Sequence, residues 1–416
     1  MKFIHAADIH LDSPLRGLER YEGAPVEAIR GGSRRAFENL VEFCLEERVD
    51  FLLIAGDLFD GDWKDYETGL WFVGQMHRLR SREIPVLMVR GNHDAKNRLT
   101  KSLRWPENVF EFPANKPATH LLESLEVAVH GQSFATTAVI DNLARNYPPP
   151  ISGYFNIGLL HTALTGREGH EPYAPCSVEE LSAKGYDYWA LGHVHQREII
   201  HRDPLIVFPG NLQGRHIRES GEKGCSLVTV TDGRVTEISH HAMDLIRWME
   251  VSVDAGGAIS EEDLLSRLQQ ALEEAVVRGE GRLCAIRLTI TGETSIHSML
   301  MGRGEEWISK ARAEALDVGG GEVWLEKVIL ATQPLRETTL ARDPNDPLLL
   351  LHDICREILA DTEGVQELVA ELEPFIGKLP GEVQGELALN NSLELERLLA
   401  RGEQLALARL QGEGGS

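Results

Sequence analysis

The chain has 416 residues, 42% of them hydrophobic and 26% charged, with a formal net charge of −23. That length exceeds one ordinary core and calls for two or three domains, while no apolar run approaches the roughly 20 residues that a membrane span needs. So acidic a chain has no global electrostatic footprint for nucleic acid, and a DNA-handling role would rest on local basic clusters or a partner.

Residues 1–240 alternate β and α patterns. Residues 2–7 read as a strand and 33–47 as an amphipathic helix, with Ala36, Phe37, Leu40, Val41, Cys44 and Leu45 on one face. Residues 51–55 form a second strand, 66–80 a helix and 85–89 a third strand, an order that implies a sheet with helices on both faces. Beyond residue 117 the pattern is strand-rich, at 125–130, 155–160, 187–191, 198–202, 205–208, 226–231 and 234–240, with Asp232-Gly233 as a tight hairpin turn. Two sheets packed face to face with flanking helices fit that order.

A small α+β unit follows. It has a strand at 245–253, a helix opened by Ser260 and Asp263 in capping-box style and running to 277, and a strand in which Cys284, Ile286, Leu288 and Ile290 alternate. A helix at 305–316 and a strand at 323–330 complete it. Helical patterns then cover 347–359, 365–372 and 392–410. The last reads either as docked on its own domain or as a partner-binding helix that lays an apolar face into a groove. The expected division is therefore 1–240, 241–335 and an acidic helical region, 336–416. The net charge is −7 over residues 1–240 and −16 over 241–416. The five cysteines form no C-x-x-C pair, so they read as core residues rather than a disulfide framework or zinc cluster. The N-terminus lacks a signal peptide's apolar region, which makes the expected location cytoplasmic, with no membrane association.

Five polar clusters each follow a strand: Asp8-Ile9-His10, Gly56-Asp57, Gly91-Asn92-His93-Asp94, His161, and Gly192-His193-Val194-His195. Loops beyond the carboxyl ends of strands are where α/β sheets build sites. Imidazole mixed with carboxylate and an amide carbonyl suits Mn, Fe or Zn. D-x-H and H-x-H on an extended segment would point alternate side chains at one metal. The remaining histidines, His5, His130, His201, His241 and His297 among them, read as surface or satisfied core residues.

Taken together, these clusters resemble the calcineurin-like metallophosphoesterase superfamily. The stretches 8–18 and 208–216 resemble SbcD-type DNA repair nucleases, and among these the YhaO-like branch. The resemblance implies a two-sheet αββα sandwich around a dinuclear metal centre, with 241–335 as a capping domain. It implies that Asp57 bridges two divalent ions, with Asp8, His10 and His195 completing one site and Asn92, His161 and His193 the other. The expected ions are two Mn2+, with Mg2+, Fe2+ or Zn2+ as alternatives. His93 takes the role of general acid, and Asp94 is either the group that orients its ring or a turn cap. Asp60 stands where some relatives carry a substrate-contacting His, which opens the balance of exonuclease and endonuclease cutting.

The implied function is a DNA nuclease working with an SMC-like coiled-coil ATPase, and a homodimer stays open. Arg215, His216, Arg218, Lys96, Arg98, Lys101 and Arg104 are candidates for phosphate contacts, with solvated surface charge as the alternative. Competing readings keep the enzyme but change the substrate to a nucleotide or another small phosphodiester, or make the chain a non-catalytic scaffold. Gly61 after Asp60 counts against the phosphoprotein phosphatases, which usually have Arg there. The intact ligand set counts against a scaffold.

Overall fold

Strands β1 (Lys2–Ala6), β2 (Phe51–Ala55) and β3 (Val86–Val89) are almost wholly buried. That is what strands inside a parallel sheet covered on both faces require. They belong to a computed structural model that describes residues 1–13, 23–60, 66–96, 103–165 and 173–335, the helix Thr362–Ile376 and a few isolated positions. The tail helix expected at 392–410 and most of 347–359 lie outside the described residues, as does the stretch 14–22.

The chain continues through β4 (Val109–Glu111), β5 (Ala118–Leu122), β6 (Val127–Gly131), β7 (Phe155–His161), β8 (Tyr188–Gly192), β9 (Glu198–Arg202), β10 (Leu205–Phe208), β11 (Gly224–Thr231) and β12 (Arg234–Ala242). One six-stranded sheet has the order β12-β11-β1-β2-β3-β4, the other β5-β6-β7-β8-β10-β9. Phe3, Phe51, Leu53 and Val228 of the first sheet share a buried cluster with Val129, Ile157, Tyr188 and Val207 of the second. Each such large side chain contributes roughly 1.5–3 kcal/mol by leaving water.

Helices α1 (Val26–Glu47) and α2 (Tyr66–Arg80) cover the outer face of the first sheet, where Phe37, Leu40, Phe72 and Met76 meet Ile4, Leu52 and Ile54. The outer face of the second sheet is covered differently. Trp189, Leu160 and Ile206 pack under Phe134, Tyr147 and Leu181, which come from loops and a five-residue helix rather than from long helices. The αββα sandwich read from the sequence is therefore present, with one outer layer thin.

Helix α1 begins seven residues before the expected start. Gly31 and Gly32 argue against a helix there by propensity, but Ile29 buries against Ile217, Ile246 and Trp248 and holds the first turns. The hairpin at Asp232-Gly233 has φ of 48° and 71°, the left-handed pair that a two-residue turn needs. Strands β4 and β5 escaped the sequence reading because they are short, half-buried edge strands without clear alternation.

Contacts divide the chain into two units. One holds residues 1–250 with 276–286 and 321–326; the other holds 251–275, 287–320 and 327–416. A three-stranded sheet of β13 (Ile246–Asp254), β14 (Leu283–Thr294) and β15 (Val323–Pro334) accompanies helices over Glu261–Gly279 and Gly304–Gly319. In the second unit Leu264, Leu268, Leu272, Leu288 and Ile290 are all fully buried. The described cysteines, Cys44, Cys176, Cys225 and Cys284, are free and buried, as the spacing implied.

Candidate metal centre

The loops after β1 and β2 prolong the parallel pairing of those strands. Asp8 N–H donates to Gly56 O, His10 N–H to Asp57 O and Leu11 N–H to Leu58 O, at 3.0, 3.0 and 2.9 Å. That zipper sets Asp8-Ile9-His10 beside Gly56-Asp57. The backbone is not extended, however: φ is 51° at Asp8, 47° at His10, 51° at Asp57 and 108° at His193. Positive φ at non-glycine residues costs on the order of 1–3 kcal/mol and gathers where side chains must be aimed.

The strand-like alternation expected of the two motifs therefore fails. Asp8 and His10 do share a cluster, with His195, but His193 and His195 separate. His193 joins Asp57 and His161, and within each cluster the ligand atoms lie within 4.8 Å of one another. Asp57 Oδ2 stands between the groups, 3.5 Å from His161 Nε2 and 3.9 Å from His10 Nε2.

Two glycines make this approach feasible. A Cβ on Gly91 would lie 2.2 Å from Asp57 Oδ1, and one on Gly192 would lie 1.9 Å from Ala55 O. Gly91 is thus required for the closeness of the Asp57 carboxylate, not for a bend.

The donor set of the second cluster fits a cation. Burial pushes the His161 imidazole down to about 3, a downward shift that its bond to Ala55 O only partly offsets, so the ring is neutral. A neutral ring has one proton, yet its nitrogens face two acceptors, Ala55 O at 2.9 Å and Asn92 Oδ1 at 3.0 Å. With the proton on Nδ1, the lone pairs of Nε2, Asn92 and Asp57 face one another. A cation at that point removes the conflict, and this mixed set of nitrogen and oxygen donors fits a divalent transition metal. Burial, then the charge of Asp57, raises the pKa of Asp8; burial also raises that of Asp57. Two adjacent buried carboxylates likewise call for positive charge.

His93 forms a third such group with His10 and Asp60, outside either ion's expected set. Its ring lies 4.8 Å from that of His10, edge to face. Its backbone N–H donates to Asp57 Oδ1 at 2.9 Å, and its Nδ1 meets Asp60 Oδ1 at 2.5 Å. Burial lowers the His93 pKa, but the Asp60 hydrogen bond and the charges of Asp57 and Asp60 outweigh it and raise the net value. Asp60 is held in turn by Ser13 Oγ at 2.5 Å.

Asp94 does not orient the His93 ring. Its buried carboxylate accepts the backbone N–H groups of Gly91, Leu58 and Phe59, at 3.0, 3.2 and 2.8 Å, and so ties the third cluster to the second. The turn-cap alternative describes it, and Asp60 takes the orienting contact.

Sequence reasoning missed two buried groups. Glu219 accepts from His195 Nδ1 at 2.7 Å, from Asn211 Nδ2 at 3.0 Å and from Arg215 Nη2 at 2.9 Å. Lys223 Nζ donates to His195 O at 2.9 Å. Both fix the second imidazole of H-x-H from behind. Among the basic candidates, Arg215 is half-buried in this network, His216, Arg218 and Arg104 are exposed, and the side chains of Lys96, Arg98 and Lys101 lie outside the described residues. Five of the set-aside histidines are satisfied, His5 by Tyr188 and Leu191 O, His130 by Thr119 and Asn156, His201 by Pro204 O, His241 by Ser239 and His297 by Thr332, whereas the buried His240 Nδ1 has no hydrogen-bond partner among the described residues.

Comparison with known proteins identifies the family of the chain. The family description "Calcineurin-like phosphoesterase" matches residues 1–197, and "Metallophosphoesterase YhaO, middle domain" matches 248–333. The uncharacterized metallophosphoesterase YhaO of Bacillus subtilis is 34% identical over 323 residues, 76% of either chain. The chain belongs to the YhaO family of calcineurin-like metallophosphoesterases. As a member of that family it is a hydrolase built around divalent metal ions. A more distant relative, the DNA double-strand break repair protein Mre11 of Methanopyrus kandleri, is 26% identical over 424 residues, 93% of this chain and 87% of that protein. A dimetal phosphatase from Danio rerio aligns structurally at 10% identity and TM-score 0.34, over 56% of this chain and 93% of its own. No helix among the described residues is long and apolar enough to cross a membrane.

Proposed function

We propose that this chain is a metal-dependent DNA nuclease of repair, an exonuclease with a secondary endonuclease capacity. The observation that carries the proposal is the set of nitrogen and oxygen ligand atoms gathered around Asp57 beside a His93–Asp60 pair. The kinship to a double-strand break repair protein over nearly the whole chain supports the choice of DNA.

In this reading Asp8, His10 and His195 would hold one divalent ion and Asn92, His161 and His193 the other, with Asp57 available to both. Two Mn2+ ions are the first assignment. When bound, such a pair activates a water nucleophile at neutral pH and neutralises phosphate charge. The neutral Asn92 keeps the centre's net charge positive enough for a phosphodiester. His93, kept protonated by Asp60, delivers its proton to the departing ester oxygen as the general acid.

The three-part division 1–240, 241–335 and 336–416 and a cytoplasmic location complete the proposal, with an SMC-like ATPase as partner and the helix pattern at 392–410 as its docking segment. Deleting residues 392–416 is expected to abolish co-purification with that ATPase while Mn2+-dependent hydrolysis of bis(p-nitrophenyl) phosphate persists. Unchanged co-purification would reject the docking role.

The full chain with Mn2+ is expected to release nucleotides or short fragments from linear duplex DNA. Hydrolysis of the small diester with DNA left intact would move the substrate to small phosphodiesters.

A further inference from the structure

The site contains a cation that neither the metal assignment nor His93 uses. Arg215 lies in the loop after β10, and its guanidinium Nη2 is 3.2 Å from His195 Nδ1. The His10 ring neighbours both His93 and His195, with centroids 4.8 and 5.1 Å away, so Arg215, in contact with His195, belongs to the same group of side chains. Its position is imposed by Glu219, which takes Arg215 Nη2 at 2.9 Å, Nε at 3.4 Å and the Arg215 backbone N–H at 2.8 Å. Glu219 is itself buried, 6% exposed, and anchored by Asn211. A fork held along two of its nitrogens loses little further freedom on binding an anion.

Two features separate this arginine from an ordinary paired surface charge. Its side chain is only 19% exposed, and among the described residues Nη1 has no hydrogen-bond partner. Its field also reaches Asp8, Asp57 and Asp60, lowering the proton affinity of each against the effect of burial. A guanidinium desolvated next to metal ligands, with one nitrogen unused, is suited to a tetrahedral oxyanion, for which Arg is the preferred side chain.

We infer that Arg215, presented by Glu219, binds a phosphate oxygen of the substrate beside the metal centre. The phosphate would then meet two cationic side chains, with His93 at the departing ester oxygen and Arg215 at a non-bridging oxygen. Glu219 has two functions in this arrangement, orienting His195 through Nδ1 and aiming Arg215.

This inference rests on the phosphodiesterase reading of the site, and its test does not need DNA turnover. The Mn2+-loaded full chain is titrated with inorganic phosphate by calorimetry, and metal content is measured in parallel. Arg215→Met is expected to keep two metals and to weaken phosphate binding at least tenfold, with Arg215→Lys recovering part of the loss. In turnover of bis(p-nitrophenyl) phosphate the change should fall mainly on KM. Phosphate binding within twofold of the unmodified protein, with metals retained, would overturn the inference. Loss of metal by both variants would assign Arg215 to holding His195 and overturn it equally. An unmodified protein that binds phosphate yet cleaves no DNA would refute the nuclease reading and leave Arg215 its role.

Discussion

His93→Ala is expected to retain both metal ions and to lose about 10²–10⁴-fold in kcat for phosphodiester cleavage, the usual worth of a positioned general acid. Metal retention follows from the geometry. The contact from residue 93 to the Asp57 carboxylate is a backbone N–H at 2.9 Å, which alanine keeps. What alanine removes is the ring poised against Asp60. The pH profile gives the same claim a sign. A general acid must be protonated, so activity falls as pH rises through the His93 pKa, which Asp60 and Asp57 raise against the opposing effect of burial. Asp60→Asn should move that alkaline limb to lower pH. A profile unmoved by Asp60→Asn, or metal loss in His93→Ala, would remove the proton-donor role.

Metal removal is the second large effect. Asp8 and Asp57 are buried carboxylates with raised pKa values, and burial followed by the charge of Asp57 pushes Asp94 up to about 7. An acid whose folded-state pKa is raised binds its proton better when folded. Its stabilising contribution is full below the unfolded value and disappears as pH rises through the folded one. For Asp94 that window runs from the ordinary carboxylate value of about 3.9 up to about 7.

Chelated protein should therefore lose melting temperature as pH is raised from 5 to 8, beyond the trend of the loaded protein. Ions bound at 100-fold over their Kd contribute about 2.7 kcal/mol each. Restoring Mn2+ at pH 8 should then raise Tm by roughly 10 °C, with a smaller gain at pH 5, where protons do part of the same work. Thermal denaturation with and without chelator at the two pH values measures this, and a metal effect larger at pH 5 would contradict it.

The five clusters were legible because a carboxylate, an amide and imidazoles placed just past apolar strands have no packing role. The strands themselves were legible from continuous apolar runs such as residues 51–55, which the structure buries at every position. Other parts depended on tertiary approach. Glu219 and Lys223 read as ordinary loop charges until the chain folds them behind His195. Gly91 reads as a flexible turn residue, whereas its lack of a Cβ is what admits Asp57. The spacing of H-x-H alone pointed both rings at one metal, whereas His193, with a φ of 108°, falls in a different group from His195, the division that the family resemblance implied. Asp94 and Asp60 are both acids close to His93, and only the folded loop shows that Asp60 holds the ring.

The measurement that tests this account most directly is the metal content of the full chain after equilibration with Mn2+ and removal of free ion. Two ions per chain, with both lost in Asp57→Asn, are expected from a carboxylate standing between the two clusters. A single ion, or two ions that survive Asp57→Asn, would contradict the dinuclear centre on which the proposed chemistry depends.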